Sequence, residues 1–466
     1  MRFKATLSTL SVMLCANSFA TPVYQPPGQN LTYGSSSNNQ SIMSSIANPA
    51  AAAALLGDED SQYRFGIISI GAGYEIGDVN DLYNKIDQAT ADLKTLTDTK
   101  QLPISGANNV IVLSSPGVVD VAATATKIAS YINTLPQTKA VNGVLSEIQE
   151  NGYASVYAGG HLPFTPMVVT KKGLGGSIVF DINVNVVANM VLIADPIFIS
   201  NATATSIANS YNTSTNTFSS ITIPNDSTLL VKAVAVGEMG LGYSRPVLSL
   251  EAGELTGGVR AKYYQVKLAR GVQRQQTSST GAESTLTASQ TYESSSDVGL
   301  DVGTLWNAKH YRVGAWVNNI NTPSFKYPAL DTSAWTNQSI VAQINADEIY
   351  EMKPQLELEG AVFSESQNWI LNAGLDANAV KDPVGREFQW ATLSAGYVTN
   401  SWWIPSVRAG YRTNLAGTKL GYVTGGLTIF KALSLDIAFT TDTVTDSNGK
   451  SYPRSAMANL SWQMTF

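Results

Sequence analysis

Ser455-Ala456-Met457-Ala458-Asn459-Leu460-Ser461-Trp462-Gln463-Met464-Thr465-Phe466 is the last stretch of the sequence, and it alternates. Ala456, Ala458, Leu460, Trp462, Met464 and Phe466 are apolar; Asn459, Ser461, Gln463 and Thr465 between them are polar. Successive side chains of an extended chain point to opposite faces, so this strand carries one greasy face and one polar face. A strand that meets lipid outside and a solvated lumen inside has this pattern. An apolar series closing on an aromatic also marks Phe466, with Met464, Trp462 and Leu460, as the segment a barrel-assembly machinery would read. The competing reading is the final strand of a soluble sandwich.

The pattern recurs upstream. Ile178, Phe180, Ile182, Val184, Val186, Ala188, Met190 and Leu192 alternate with Asp181, Asn183, Asn185 and Asn189. Leu356, Leu358 and Val362 alternate with Glu357 and Glu359; Leu433, Leu435, Ile437 and Phe439 with Ser434 and Asp436; Val407, Ala409 and Tyr411 with Arg408 and Arg412. Period two sustained this far is β structure. Charges on the non-lipid face of so many strands favour a polar lumen over a buried sandwich core. The residues expected to face it are Asp181, Asn183, Asn185, Glu351, Lys353, Glu357, Glu359, Arg408 and Arg412. The predicted fold is all-β: a transmembrane antiparallel β-barrel of about fourteen strands. The predicted spans are 63–76, 153–161, 177–193, 228–243, 257–275, 291–305, 309–320, 348–362, 367–379, 386–399, 404–413, 418–429, 432–442 and 454–466. Short turns fall near Asn307, Glu365, Ser401 and Lys431, and longer loops at 321–347 and 443–453. Trp306, Trp369, Trp402 and Trp403 near strand ends fit an interfacial girdle.

Composition agrees. Of 466 residues only 14% are charged, well under the roughly 25% of soluble domains. The formal net charge of −6 leaves no basic face for nucleic acid. Arg2 and Lys4, the apolar run Leu7–Leu14 and Ser18-Phe19-Ala20 have the form of a cleaved export signal over 1–20. Losing two basic residues there would take the net charge from −6 to −8 and remove Cys15, the sole cysteine. Beyond it no run of about 18 apolar residues occurs. The expected location is the outer membrane of a Gram-negative cell, with its lipids as the first partner.

Two regions lack the alternation. Residues 21–62, rich in Ser, Asn, Pro and Ala, are predicted to plug the barrel 63–466, with a small helix near Asn48 to Leu56. Within the barrel, 79–150 changes to helical spacing. Leu82, Ile86, Ala89, Leu93 and Leu96 share one face; Val121, Ala125, Ile128, Ile132 and Leu135 form a second helix stopped by Pro136; Val141, Val144, Leu145 and Ile148 suggest a third. This insert is predicted to be extracellular, packed on itself.

No catalytic, cofactor or metal motif stands out, and none of the three is assigned. Gly173-Leu174-Gly175-Gly176-Ser177 lacks the Lys of a phosphate loop and precedes a strand. His161 and His310 have no Ser or acid context for a hydrolase. Asp58-Glu59-Asp60 and Asp78, Asn80, Asp81 miss the calcium-loop spacing.

Four stretches carry a resemblance. Asn48-Pro49-Ala50-Ala51-Ala52 resembles the N-terminal plug segment of FadL-type channels for hydrophobic compounds, which are fourteen-stranded. Gly258-Val259-Arg260-Ala261-Lys262-Tyr263-Tyr264, Asp301-Val302-Gly303 and Gly314 to Pro323 resemble the TraF-like barrel family of plasmid transfer, a FadL-like or PorV-like group distinct from the thioredoxin-like F-plasmid protein of that name. The resemblance implies a plugged barrel with Asn48, Pro49 and Ala50 in the plug, and a link to conjugation or secretion proteins. Passive movement of a hydrophobic small molecule is the alternative it leaves open, and an outer-membrane enzyme is a third.

Overall fold

The computed structural model describes residues 28–34, 41–54, 61–81, 102–219, 225–274, 287–399 and 401–465, with isolated residues at 84–91, 221 and 223. The export-signal reading, Asp58-Glu59-Asp60, Phe466 and the five residues of the Leu82–Leu96 face lie outside them.

Fourteen strands close into one antiparallel barrel: β1 (Ser61–Ile76), β2 (Tyr153–His161), β3 (Gly176–Ile193), β4 (Thr228–Leu250), β5 (Gly253–Arg274), β6 (Thr287–Asn307), β7 (Tyr311–Asn318), β8 (Gln355–Phe363), β9 (Trp369–Asp376), β10 (Trp390–Tyr397), β11 (Ser406–Asn414), β12 (Gly421–Ile429), β13 (Leu433–Thr440) and β14 (Ser455–Thr465). Each pairs with the next, and β14 pairs back with β1, Ile70 opposite Leu460. A further segment, Met167–Lys171, continues β2 beyond an interruption at 162–166, still flanked by β1 and β3. Closure removes the free edges that an open sheet would present to lipid.

The connections divide by length. Turns at 172–175, 251–252, 308–310, 364–368, 398–405 and 430–432 lie at one end; the long loops 77–152, 194–227, 319–354, 377–389 and 441–454 lie at the other, together with one short connection, 415–420. Outer-membrane barrels keep short turns on the periplasmic side and long loops outside. Trp369, Trp402, Trp403 and Phe430 are exposed around the short-turn end, where amphipathic rings sit at the headgroup level. Between the ends runs a belt of exposed apolar side chains, among them Leu241, Val259, Val313, Leu358, Leu371, Leu393, Val423 and Ile437.

β8 begins at Gln355 rather than 348, which is a correction to the predicted span. Residues 349–351 instead form a hairpin with Ser324–Lys326, inside the long loop. Glu351 and Lys353 are therefore exposed beyond the strand and do not face the lumen.

The helical cap also differs. α4 (Val121–Thr134) ends before Pro136, and Pro136 opens α5 (Pro136–Asn151) at its first position, where its missing N–H costs nothing. The insert does not pack on itself alone. Ile128 and Ile132 share a buried cluster with Ile197, Ile199, Ala204, Ile207 and Phe218 from loop 194–227, whose helix α6 (Asn201–Asn209) crosses α4. Asn133 and Asn142 stitch the two loops together, each with its carboxamide oxygen accepting from one backbone N–H (Ile199 and Ile197, at 2.8 and 2.7 Å) and its Nδ2 donating to that residue's carbonyl. Asp78, from the acidic group considered as a calcium site, pairs with Arg454 at 3.3 Å.

Candidate functional site

The site is the filled interior. Three short helices lie inside the barrel: α1 (Asn30–Tyr33), α2 (Ser44–Ala47) and α3 (Ala51–Ala54). α1 rests on β10–β13, whereas α2 and α3 rest on β3–β6.

Asn48, Pro49 and Ala50 occupy a seat made by glycines. A Cβ on Gly258 of β5 would strike the Pro49 carbonyl oxygen, and one on Gly303 of β6 would strike Asn48 Oδ1. Asn48 Nδ2 donates to Thr304 O at 3.2 Å, and Asn48 Oδ1 accepts from Ala50 N at 2.9 Å, closing an Asx turn. Ala53 N donates to Ser244 Oγ at 2.9 Å. The stretches that were far apart in sequence thus meet: Asp301 accepts from Asn319 N at 2.8 Å and pairs with Lys262 at 2.7 Å, and Tyr264 donates to Asn319 Oδ1 at 2.8 Å.

Beside the seat, an ion-pair network crosses three strands. Arg260 (β5) reaches past β4 to Asp181 on β3, donating from Nη2 at 2.7 and 2.8 Å. It also pairs with Glu238, and its Nη1 donates to Ile46 O of α2 at 3.2 Å. The reach is open because β4 has Gly240 there: an added Cβ would meet Asp181 Oδ1 and sit 2.6 Å from Arg260 Nη2. Asn183 donates to Asp181 at 3.2 Å, and Asn185 to Asn183 at 3.5 Å. His161 lies buried in the same layer.

The opposite wall repeats the device. Arg408 (β11) donates from Nε to Asp436 (β13) at 2.7 Å, across Gly426 of β12, where a Cβ would sit 2.6 Å from Arg408 Nε. Asp436 also accepts from Thr32 Oγ1 at 2.6 Å, the Arg408 guanidinium lies 5.6 Å from the Tyr33 ring, and Arg412 donates to Leu31 O at 3.2 Å. Glu357 accepts from Asn318 at 2.7 Å, and Glu359 is buried beside Gly34. Buried charges this well paired hold position strongly: stranding one partner costs about 3–5 kcal/mol.

Above this polar layer the lumen turns apolar. Tyr157, Tyr264, Phe325, Tyr350, Phe388, Trp390 and Tyr422 join one buried cluster, with Phe325 and Tyr350 from the 319–354 loop and Phe388 from 377–389. Arg386 of the latter loop pairs with Glu75 of β1, which also accepts from Tyr153 at 2.6 Å. The lining acids and bases could be read from alternation. Their partners could not, because Gly240, Gly426, Gly258 and Gly303 matter only through strands far off in sequence.

A closed, fourteen-stranded antiparallel barrel with an apolar outer belt, and with the segment before β1 packed inside, is a transmembrane β-barrel. Residues 45–376 match the family described as F plasmid transfer operon, TraF, protein, and the chain belongs to that family. No curated protein matches it. Among solved structures, the toluene transporter TodX of Pseudomonas putida aligns at 12% identity over 95% of this chain and 98% of its own, with a TM-score of 0.39. A FadL homologue of Pseudomonas aeruginosa aligns at 12% identity over 97% and 99%, also with a TM-score of 0.39.

Proposed function

We propose that this chain is an exported outer-membrane component of a conjugative transfer apparatus, acting as a sealed scaffold that works through protein contacts rather than as an open pore or an enzyme. The observation that carries the reading is the filled interior: α1 is tied to one wall and α2–α3 to the other by Arg408, Arg412 and Arg260. A lumen so packed leaves the long-loop face as the surface that meets other conjugation or secretion proteins. The experiment pairs two readouts. In planar bilayers the intact protein should conduct little, and removal of residues 21–56 should raise conductance. In donor cells, loss of the protein should reduce mating. Large, stable conductance from the intact protein would make it a porin, and undiminished mating would end the transfer role.

A second reading is passage of a hydrophobic small molecule, favoured by the aromatic upper lumen around Tyr264, Trp390 and Tyr422. Native mass spectrometry of the purified barrel decides between the two: a bound apolar compound supports passage, and a co-purifying transfer protein supports the scaffold.

A further inference from the structure

We infer that the upper half of β6 is a docking edge for an extended, basic segment of another polypeptide. β6 pairs with β5 along its whole length, from Thr287 to Asn307, but with β7 only from Val302 to Asn307. Among the described residues no strand pairs with its other side above that, although the short strand Ser324–Lys326 lies beside it and Ser324 N donates to Asp297 Oδ2 at 2.9 Å. Leu300 shows which backbone groups face the gap: its N–H donates to Asn321 Oδ1 at 2.9 Å and its carbonyl accepts from Ile320 N at 2.8 Å. The Val298 carbonyl accepts from Asn321 Nδ2 at 2.6 Å. Backbone groups of a strand alternate sides, so the N–H and C=O of Ser296, Ser294 and Tyr292 aim the same way. Gln265 of β5 donating to Ser295 O at 3.4 Å fits odd residues facing β5.

Natural sheets blunt such an edge with Lys, Pro, a bulge or shortness. This one has none of these from 287 to 297: it is long, continuous and free of Lys and Pro. It also stands clear of lipid. The outward apolar series of β5 stops at Tyr263, opposite Val298, and continues as Gln265 and Lys267.

A second copy in the same membrane does not fit. Barrel strands tilt about 35–45°, so two copies related by an axis along the membrane normal would cross these edges at roughly 80°, not pair them. The occupant is therefore a separate extended segment, adding one strand. Its chemistry follows from the cross-strand positions. Tyr292, Ser294 and Ser296 line one face, where Lys267 of β5 sits 4.2 Å over the Tyr292 ring; Glu293 lies on the other, where Asp297 is already engaged by the N–H groups of Ser324 and Val298, and Tyr292 and Glu293 are exposed. A polar strand with Lys or Arg opposite Glu293 matches this edge, and a greasy one does not.

The test uses the full-length protein in detergent and a labelled peptide of alternating Thr and Lys, so it is independent of any role in mating. Amides of Tyr292, Ser294 and Ser296 should exchange hydrogen rapidly in the protein alone and at least tenfold more slowly with peptide. Ser294→Pro, which removes an outward donor, should weaken peptide binding at least tenfold and leave heat-modifiable gel mobility unchanged. Tyr292→Pro on the same side serves if the first variant fails to insert. A Thr–Glu peptide should bind at least tenfold more weakly. Protection of those amides without peptide would overturn the inference, assigning the edge to the chain's own loop if independent of protein concentration and to a second copy if dependent on it. Equal binding to the proline variants, or of both peptides, would overturn it too.

Discussion

The two sides of the barrel differ in height. β3 to β6 run 18, 23, 22 and 21 residues, whereas β7 to β13 run only 8 or 9. About 9–11 tilted residues cross a bilayer, so the short wall is membrane and little else, and the tall wall is a membrane strand plus a projecting blade. β5 marks the change in its own sequence. Below Tyr263 its outward residues are apolar (Val259, Ala261) and its inward ones charged (Arg260, Lys262). Above, outward residues become polar (Gln265, Lys267) and inward ones mostly apolar (Val266, Leu268, Val272), packing the loop helix α7 (Gln338–Ile344) and its neighbours, with Arg270 and Arg274 between them anchored to loop carbonyls and to Asp226. From Thr256 to Arg274 the register does not slip; the solvent on each face changes, and the side chains follow. One strand can thus serve two environments by inverting which face is greasy.

The largest test of the contrast is to break the matching ion pairs. Arg408→Leu strands the Asp436 carboxylate in the short wall and should cost about 3–5 kcal/mol. Arg260→Leu should cost at least as much, since it leaves three buried carboxylates, Asp181, Glu238 and Asp301, with Lys262 as the remaining cation of the network. Urea unfolding in detergent, followed by gel mobility, measures both. Equal stability of wild type and Arg260→Leu would mean that the tall wall relies on its projecting apolar face instead.

The outer faces come next. Leu371→Arg, in the short wall's belt, should destabilise by about 2–4 kcal/mol. Gln265→Arg, on the same outward face of the tall wall but above the belt, should stay within about 0.5 kcal/mol. Comparable losses would place the blade in lipid.

A smaller effect concerns the loop at the mouth. Burial raises the Asp382 carboxyl to about 6, although Arg386 nearby and the N–H groups of Val384 and Arg386 pull it down. Raised in the fold, this group adds stability below the ordinary carboxylate range, and that stability is lost as pH rises through about 6. Protease cleavage in 377–389 should accelerate as pH rises from about 4 to about 6 and level off above that, and Asp382→Asn should flatten the dependence. A rate independent of pH in the wild type would remove Asp382 from the account.

The smallest expected effect on the barrel is replacement of 79–150 by a short Gly-Ser loop, since long surface loops change stability slowly with length. Heat-modifiable mobility should survive. Because Ala204 and Ile207 of α6 lose their cover, proteolysis of 194–227 should quicken. If the shortened chain fails to insert, the cap belongs to the barrel's folding core.

Much of the fold could be read in the sequence because a barrel wall is written locally: every second residue faces lipid, and each turn carries its own signal. All fourteen strands fall near their predicted spans. The readings that missed depended on distant parts. Glu351 and Lys353 extend an alternating pattern, yet they belong to a hairpin that folds away with 324–326. α6 hides in a run of Asn, Thr and Ser, and only its packing on α4 makes it a helix worth forming. Asp181 and Arg408 stand out as inward charges, but nothing near them in sequence points to Gly240 or Gly426.

The inner segment also favours an order of events. It is covalently continuous with β1, and its helices are seated on β3–β6 and on β10–β13, on both sides of the seam where β1 meets β14. A finished cylinder offers no lateral way in for a chain already bound to both walls. A sheet that wraps around the segment while still open, with β1 joined to β14 last, reaches this arrangement without threading a chain through a finished cylinder.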